Sequence, residues 1–223
     1  MQITLVQRPA DLVPGQLKGK AVAVIDQLRA TTSIAAALSG GADGVHVFAD
    51  IDEARNAAPK LNALLSGERH SVKIEGFDLG NSPGELADSS VVGGRTLCMT
   101  TTNGTTAIVA AGEADFVCTL SLVNLTATCN HLATLGRDVV FLSSGTDGEP
   151  TREDDYTGLV AAMKLRVPDW QLVEQRTRDV LWNSQGARRL HSHGHDADIE
   201  YAMRVDSLPI VTRVIDAVVR KLD

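Results

Sequence analysis

Four stretches of this chain gather acids, hydroxyls and arginines at spacings that suit anion chemistry. In AVAVIDQLRATT (21–32) an apolar run stops at Asp26, with Arg29 three positions on and then Thr31 and Thr32. Ligands of open α/β sheets bind beyond the carboxyl ends of strands. The helix that follows offers unpaired N–H groups and the positive end of its dipole. In LCMTTTNGTTAIVAA (97–111) a second apolar run ends in Thr100, Thr101, Thr102, Asn103 and Gly104, and Thr105 opens a helical run. Hydroxyls, an amide and backbone N–H groups there would make a neutral oxyanion cradle, without the GxxxxGK spacing of a Walker loop.

The third stretch, VVFLSSGTDGEPTREDDY (139–156), ends its apolar run in Ser143 and Ser144 and opens a helix with Glu153, Asp154 and Asp155. Acids in a first helical turn favour the dipole whatever else they do. The functional reading makes one of them, with Asp154 the candidate, a metal ligand or a general acid. The fourth, LLSGERHSVKIEGFDLGNSPGEL (64–86), is polar, Gly-rich and long for a connector, which often marks function. Glu68 and Asp78 are oxygen ligands suited to Mg²⁺. Arg69 has the fork that grips a carboxylate, sulfonate or phosphate. Asn81 and Ser82 precede Pro83 as a helix start. Each stretch also has a purely structural reading: an Asp26–Arg29 ion pair, threonine caps, dipole-matched acids, a solvated loop.

Alternating elements must position these groups. Ala21 to Ile25, Val45 to Phe48, Thr96 to Thr100, Phe116 to Thr119 and Val139 to Ser143 read as short buried strands. Helical spacing is expected over Thr32 to Leu38, Ile51 to Leu65, Thr105 to Ala111, Leu122 to Leu135, Thr151 to Arg166 and Asp169 to Trp182. Ile210 to Leu222 reads as a closing amphipathic helix. Strands alternating with helices predict a three-layer α/β/α fold around a largely parallel or mixed central sheet. Residues 1–223 are expected to form one domain.

The composition limits the partners. With 223 residues, 43% of them hydrophobic, the chain can bury a substantial core. A net charge of −7 argues against sequence-independent nucleic-acid binding. No apolar run approaches the roughly 20 residues that span a bilayer. Cys98, Cys118 and Cys129 lack CxxC spacing and read as buried thiols. With no secretory signal at the N-terminus, a cytoplasmic protein is expected. A homo-oligomer is compatible with the sequence. His191, His193 and His195 have no partner pair at zinc spacing.

The strings VIDQLRATT (24–32), GER (67–69), VKIEGFDLGNSP (72–83) and TTTNGT (100–105) together resemble the 2-phosphosulfolactate phosphatase family. FLSSGTDG with its acidic cluster and HGHDADIEYAMRVD (193–206) match more weakly. Gln27 stands where the resemblance expects an apolar residue, and His70 where it expects glycine. The resemblance implies an α/β/α, Mg²⁺-dependent phosphatase. Its substrate would be a small anionic phosphomonoester, (R)-2-phospho-3-sulfolactate, which gives 3-sulfolactate and phosphate on the route to coenzyme M. Asp26, Arg29, Thr31, Glu68, Asp78, Asn81, Thr102, Asn103 and Gly104 fall on its motif positions. On that footing Asp26, Glu68 and Asp78 are the expected Mg²⁺ ligands, with Asp154 as a further candidate. Arg69 is expected to hold the carboxylate or sulfonate, and the Thr101 to Thr105 loop the phosphate. Asp26 could hold the metal or attack phosphorus. The other functions considered are a phosphatase for other 2-hydroxy-acid phosphates and a non-catalytic phosphate sensor.

Overall fold

The computed structural model describes residues 1–167 and 169–222. Pro168 and Asp223, both inside the span expected to form one domain, lie outside the described residues. Ten strands form one mixed sheet: β1 (Ile3–Val6), β2 (Ala21–Ile25), β3 (Gly44–Val47), β4 (Leu64–Arg69), β5 (Val72–Lys73), β6 (Thr96–Thr100), β7 (Phe116–Leu120), β8 (Val139–Ser143), β9 (Thr212–Ile215) and β10 (Val218–Lys221). The helices are α1 (Ala30–Ser39), α2 (Ile51–Leu61), α3 (Pro83–Leu86), α4 (Ser89–Val92), α5 (Gly104–Ala110), α6 (Leu125–Thr134), α7 (Arg152–Arg166), α8 (Glu174–Trp182), α9 (Gln185–Ser192) and α10 (Asp196–Ala202).

Strand β2 shows why the fold has three layers. All five of its residues are buried. Val22 and Val24 pack on one face with Ile34 and Leu38 of α1 and Ile108 of α5. Ala21, Ala23 and Ile25 pack on the other with Leu132 of α6 and Val160 of α7. Both faces of a parallel strand need apolar cover, which removes the polar alternation of a half-exposed strand.

The sheet order is β1-β8-β2-β7-β9-β10-β3-β6-β4-β5. Strands β1, β8, β2 and β7 run parallel, as do β3, β6 and β4. The β9–β10 hairpin pairs antiparallel with both groups and joins them, so the two groups run in opposite senses. Twist of roughly 20–25° per neighbouring pair accumulates to about 100–125° between β2 and β6. That rotation lets the carboxyl ends of opposed groups converge: a Cβ built on Gly104, just past β6, would meet Asp26 Oδ2, just past β2, at 2.5 Å.

Three expectations about the elements are corrected. The closing helix over Ile210 to Leu222 is the β9–β10 hairpin. Its two-residue turn holds Asp216 and Ala217 at φ 49° and 57°, the twist that suits a tight hairpin. Helix α2 stops at Leu61 because Asn62 takes a left-handed cap, and Leu64 and Leu65 already belong to β4. The 64–86 stretch is therefore not all loop. Strand β4 pairs in parallel with β6 and turns back into β5 through His70 and Ser71, at φ 52° and 69°. A left-handed φ at His70 explains why glycine is the expected residue there.

Candidate active site

A cleft of about 650 Å³, counted out to its open mouth, lies where β2, β4, β6 and β8 end and α7 and α9 begin. Asp26, Arg29, Glu68, Asn81, Thr102, Asn103 and Asp154 line it, as the sequence led one to expect. Ser71, Ser144, Thr146, Thr151, Glu153, Gly186 and Arg189 join them.

Asp26 is half-buried at the end of β2, facing the start of α1. Burial, then the charges of Glu68 and Glu153, push its carboxyl up to about 7, against help from the N–H groups of Ala30 and Arg29. Its neighbour Gly104 cannot carry a side chain, since a Cβ would strike the Ala30 methyl and the Asp26 carboxylate. Gly104 is thus a spacer that lets α5 approach α1.

Glu68 is buried at the end of β4 and ties the β4–β5 turn to the loop between β6 and α5. Its Oε1 accepts the Thr102 N–H at 2.8 Å and its Oε2 the Ser71 N–H at 2.7 Å. The tight β4–β5 turn is what brings the Ser71 N–H back onto it. The Thr102 hydroxyl in turn accepts the His70 N–H.

Of the acids that open α7, two enter the cleft. Asp154 is fixed: Oδ1 accepts the Gln27 N–H at 2.9 Å, and Oδ2 accepts the Ser144 hydroxyl and the Gly145 N–H. Burial, then the charges of Asp26 and Glu153, hold its carboxyl well above the usual range. Glu153 is less committed. Its Oε1 accepts the Gly186 N–H at 3.1 Å, and its Oε2 is buried without a partner among the described residues. Burial raises its carboxyl too. Asp155 turns away to Ser143 and Gln7.

Both cleft arginines already face an acid. Arg29 grips Asp198 of α10 through Nε at 3.0 Å and Nη2 at 2.7 Å, and both side chains are buried. Asp198 also accepts the Ser82 hydroxyl at 2.5 Å. The Arg29–Asp198 pair therefore locks α10 and the start of α3 onto the β2 loop. Arg189 of α9 meets Asp147 at 2.8 Å in a partly exposed pair.

Several expected residues serve the frame instead of the cleft. Asp78 is exposed, and its Oδ2 accepts the Leu65 N–H at 2.8 Å, so it is not brought to Asp26 and Glu68. Arg69 directs its guanidinium to Glu68 O, Thr100 Oγ1 and Ala49 O. Thr31 and Thr32 are buried and bond backbone carbonyls, Thr31 those of Asp26 and Leu120, Thr32 that of Gln27. Thr101 and Thr105 cap each other reciprocally at the start of α5, which leaves Thr102 and Asn103 as the lining part of that loop. Ser82 serves Asp198. His191 pairs with Asp196 and packs edge-on to Trp182, outside the cleft lining.

Sequence reasoning passed over Gly186 and Arg189, which come from a helical region without an obvious motif, and it reached Asp198 only as part of the weakly matching string 193–206. Gln27 had been marked only as a departure, yet it is fully buried and bonded at both ends of its amide, to Ala202 O, the Leu122 N–H and the Thr157 hydroxyl. A polar residue just after a buried strand and beside an acid was the available signal.

The cleft lining carries four acids (Asp26, Glu68, Glu153, Asp154) against two arginines, each already paired to an acid outside that set. The donors are all hard oxygens, the type Mg²⁺ takes. Among the described residues no three acidic, His or Cys side chains converge enough to hold a metal alone. Mg²⁺ keeps several waters and commonly uses one or two carboxylates, so Asp26 and Glu68, which repel each other across the cleft, fit it.

Among the described residues no helix is long and apolar enough to cross a membrane. A family model of 2-phosphosulpholactate phosphatase matches residues 6–216. A probable 2-phosphosulfolactate phosphatase of Caldanaerobacter subterraneus is 34% identical over 92% of this chain and 91% of its own length. One from Prochlorococcus marinus is 36% identical over 89% of this chain and 90% of its own, and one from a Synechococcus is 37% identical over 99% of each. The strand-end cleft and these likenesses agree: the chain belongs to the 2-phosphosulfolactate phosphatase family of phosphomonoester hydrolases.

Proposed function

We propose that this enzyme hydrolyses (R)-2-phospho-3-sulfolactate to 3-sulfolactate and inorganic phosphate with the help of Mg²⁺. The observation that carries the metal is the surplus of carboxylates in the cleft, whose two described lining arginines are each already paired to another acid. The relatives' names support the substrate. Asp26 and Glu68 would hold the ion. When bound, it supplies the positive charge that phosphoryl transfer needs opposite the phosphate oxygens.

The chain's own residues do the rest. Thr102 and Asn103 flank the phosphoryl position at the start of α5. Arg29 and Asp198 hold the β2 loop so that Asp26 keeps its place. The leaving group is a secondary alkoxide, which needs a proton as the ester bond breaks. Glu153, raised by burial and with one oxygen unpartnered among the described residues, would hold that proton and deliver it. Asp154, whose oxygens are already engaged, is the support that positions Glu153 and the Ser144 loop.

Phosphate release from a panel of 2-phospho-3-sulfolactate, 2-phospholactate and phosphoglycolate, in Mg²⁺ and in EDTA, tests the proposal. The sulfonated ester is expected to be turned over best and only with Mg²⁺. No release from that ester, or equal release in EDTA, would sink it.

A further inference from the structure

The two arginines that line the cleft are not equivalent. Arg29 is buried, with two nitrogens on Asp198 and the third on Ser71 O. Arg189 is half-buried, and among the described residues only its Nη2 is engaged, by Asp147 Oδ2. Asp147 is a poor anchor. It is exposed, and it stands at φ 53° in the turn after β8, where its N–H donates to the Asn103 amide oxygen at 3.2 Å. Such a solvated pair contributes little to folding. It keeps a guanidinium compensated, and at the same time tied to the loop that lines the phosphoryl position.

We propose that Arg189 is the specificity residue that binds the sulfonate of the substrate, taking it in exchange for Asp147. The inference rests on the substrate reading above. The phosphoryl group belongs beside Asp26, Glu68 and Thr102. From the ester carbon the sulfonate oxygens reach one bond further than the carboxylate oxygens, and Arg189 with Asp147 is the more exposed of the two cleft arginine pairs. A sulfonate stays ionised and offers several acceptor oxygens to a planar fork. The exchange never leaves a charge unpaired inside the cleft, because Arg189 passes from one anion to another while Asp147 returns to water. Arg69, the residue expected for this task, has its fork on backbone and Thr100 oxygens.

The test compares 2-phospho-3-sulfolactate with 2-phospholactate, which keeps the ester carbon and the carboxylate but lacks the sulfonate. Arg189→Gln is expected to lower the preference for the sulfonated ester, as a ratio of kcat/KM, at least tenfold and mainly through KM. Arg189→Lys should restore part of it. Asp147→Asn keeps a residue that tolerates the left-handed turn and removes the competing charge. It should lower KM for the sulfonated ester several-fold and not for phospholactate. An unchanged ratio in Arg189→Gln, or a raised KM in Asp147→Asn, overturns the proposal. If the unsubstituted protein turns over neither ester, the functional reading falls and this inference with it. If it prefers the sulfonated ester and Arg189→Gln keeps that preference, only the inference falls.

Discussion

Replacing Asp26 by Asn should make the metal-free protein more stable and nearly inactive at once. The folded carboxyl is raised from 3.8 to about 7 by burial first, then by Glu68 and Glu153. That difference corresponds to about 4 kcal/mol against the ionised form. Water reaching the half-buried group reduces the figure, so about 1–3 kcal/mol is the working range. The sign follows from linkage. A raised acid binds more protons in the folded state, so its contribution is full below pH 3.8 and is lost as pH rises to about 7. At pH 8 the native acid is ionised beside two other acids, whereas an amide is neutral at every pH. In EDTA at pH 8, Asp26→Asn should therefore raise Tm by about 2–12 °C, using roughly 2–4 °C per kcal/mol for a chain of this size. At pH 4 most of that gain should vanish. Phosphate release with Mg²⁺ should fall about a hundred- to a thousandfold, the scale of losing an electrostatic catalytic group. A variant less stable than the parent at pH 8 in EDTA would refute the crowding argument. A variant with near-normal turnover would refute any catalytic role for Asp26.

Other substitutions separate spacer, frame and turn. Gly104→Ala places a methyl against Ala30 and the Asp26 carboxylate; it should cost about 1–3 kcal/mol of stability and lower kcat at least about tenfold as Asp26 shifts, read by denaturation and phosphate release. Asp78→Ala loses one acceptor for the Leu65 N–H and should cost about 1 kcal/mol, while kcat/KM stays within about twofold, measured in the same two assays. Asp216→Asn with Ala217→Gly gives the hairpin turn the residues its positive φ angles favour, and should raise stability by about 0.5–1 kcal/mol without altering turnover.

Much of the frame was legible because buried parallel strands leave an unmistakable apolar run. Ala21–Ile25, Thr96–Thr100 and Val139–Ser143 begin and end where their composition indicates. The hairpin of residues 212–221 was not legible as such. Its Val, Ile and Ala spacing also satisfies a helical stripe, and only the tertiary slot between β7 and β3 decides for strands. The site was legible as segments more than as atoms. Motif positions identified Asp26, Glu68, Asn81, Thr102 and Asn103, which line the cleft. The same strings include Asp78, Arg69, Thr31 and Thr101, whose side chains satisfy nearby backbone or hydroxyl groups. Residue type alone does not separate a carboxylate that faces a cleft from one that caps a strand end. Arg189 reaches the site from a helix remote in sequence that no local pattern announced, and Asp198 from a string (193–206) whose weak match did not single it out.

Asp26 and Glu68 are proposed to form a Mg²⁺-assisted phosphatase centre for 2-phospho-3-sulfolactate. The most direct measurement is initial phosphate release from that ester across a Mg²⁺ titration, for the parent protein and for Glu68→Gln. Saturable dependence on Mg²⁺ is expected in the parent. In Glu68→Gln, half-activation should need at least about tenfold more Mg²⁺, the scale of weakening a metal site by one partner. Release that ignores Mg²⁺, or an activation curve that Glu68→Gln leaves in place, would contradict that proposal.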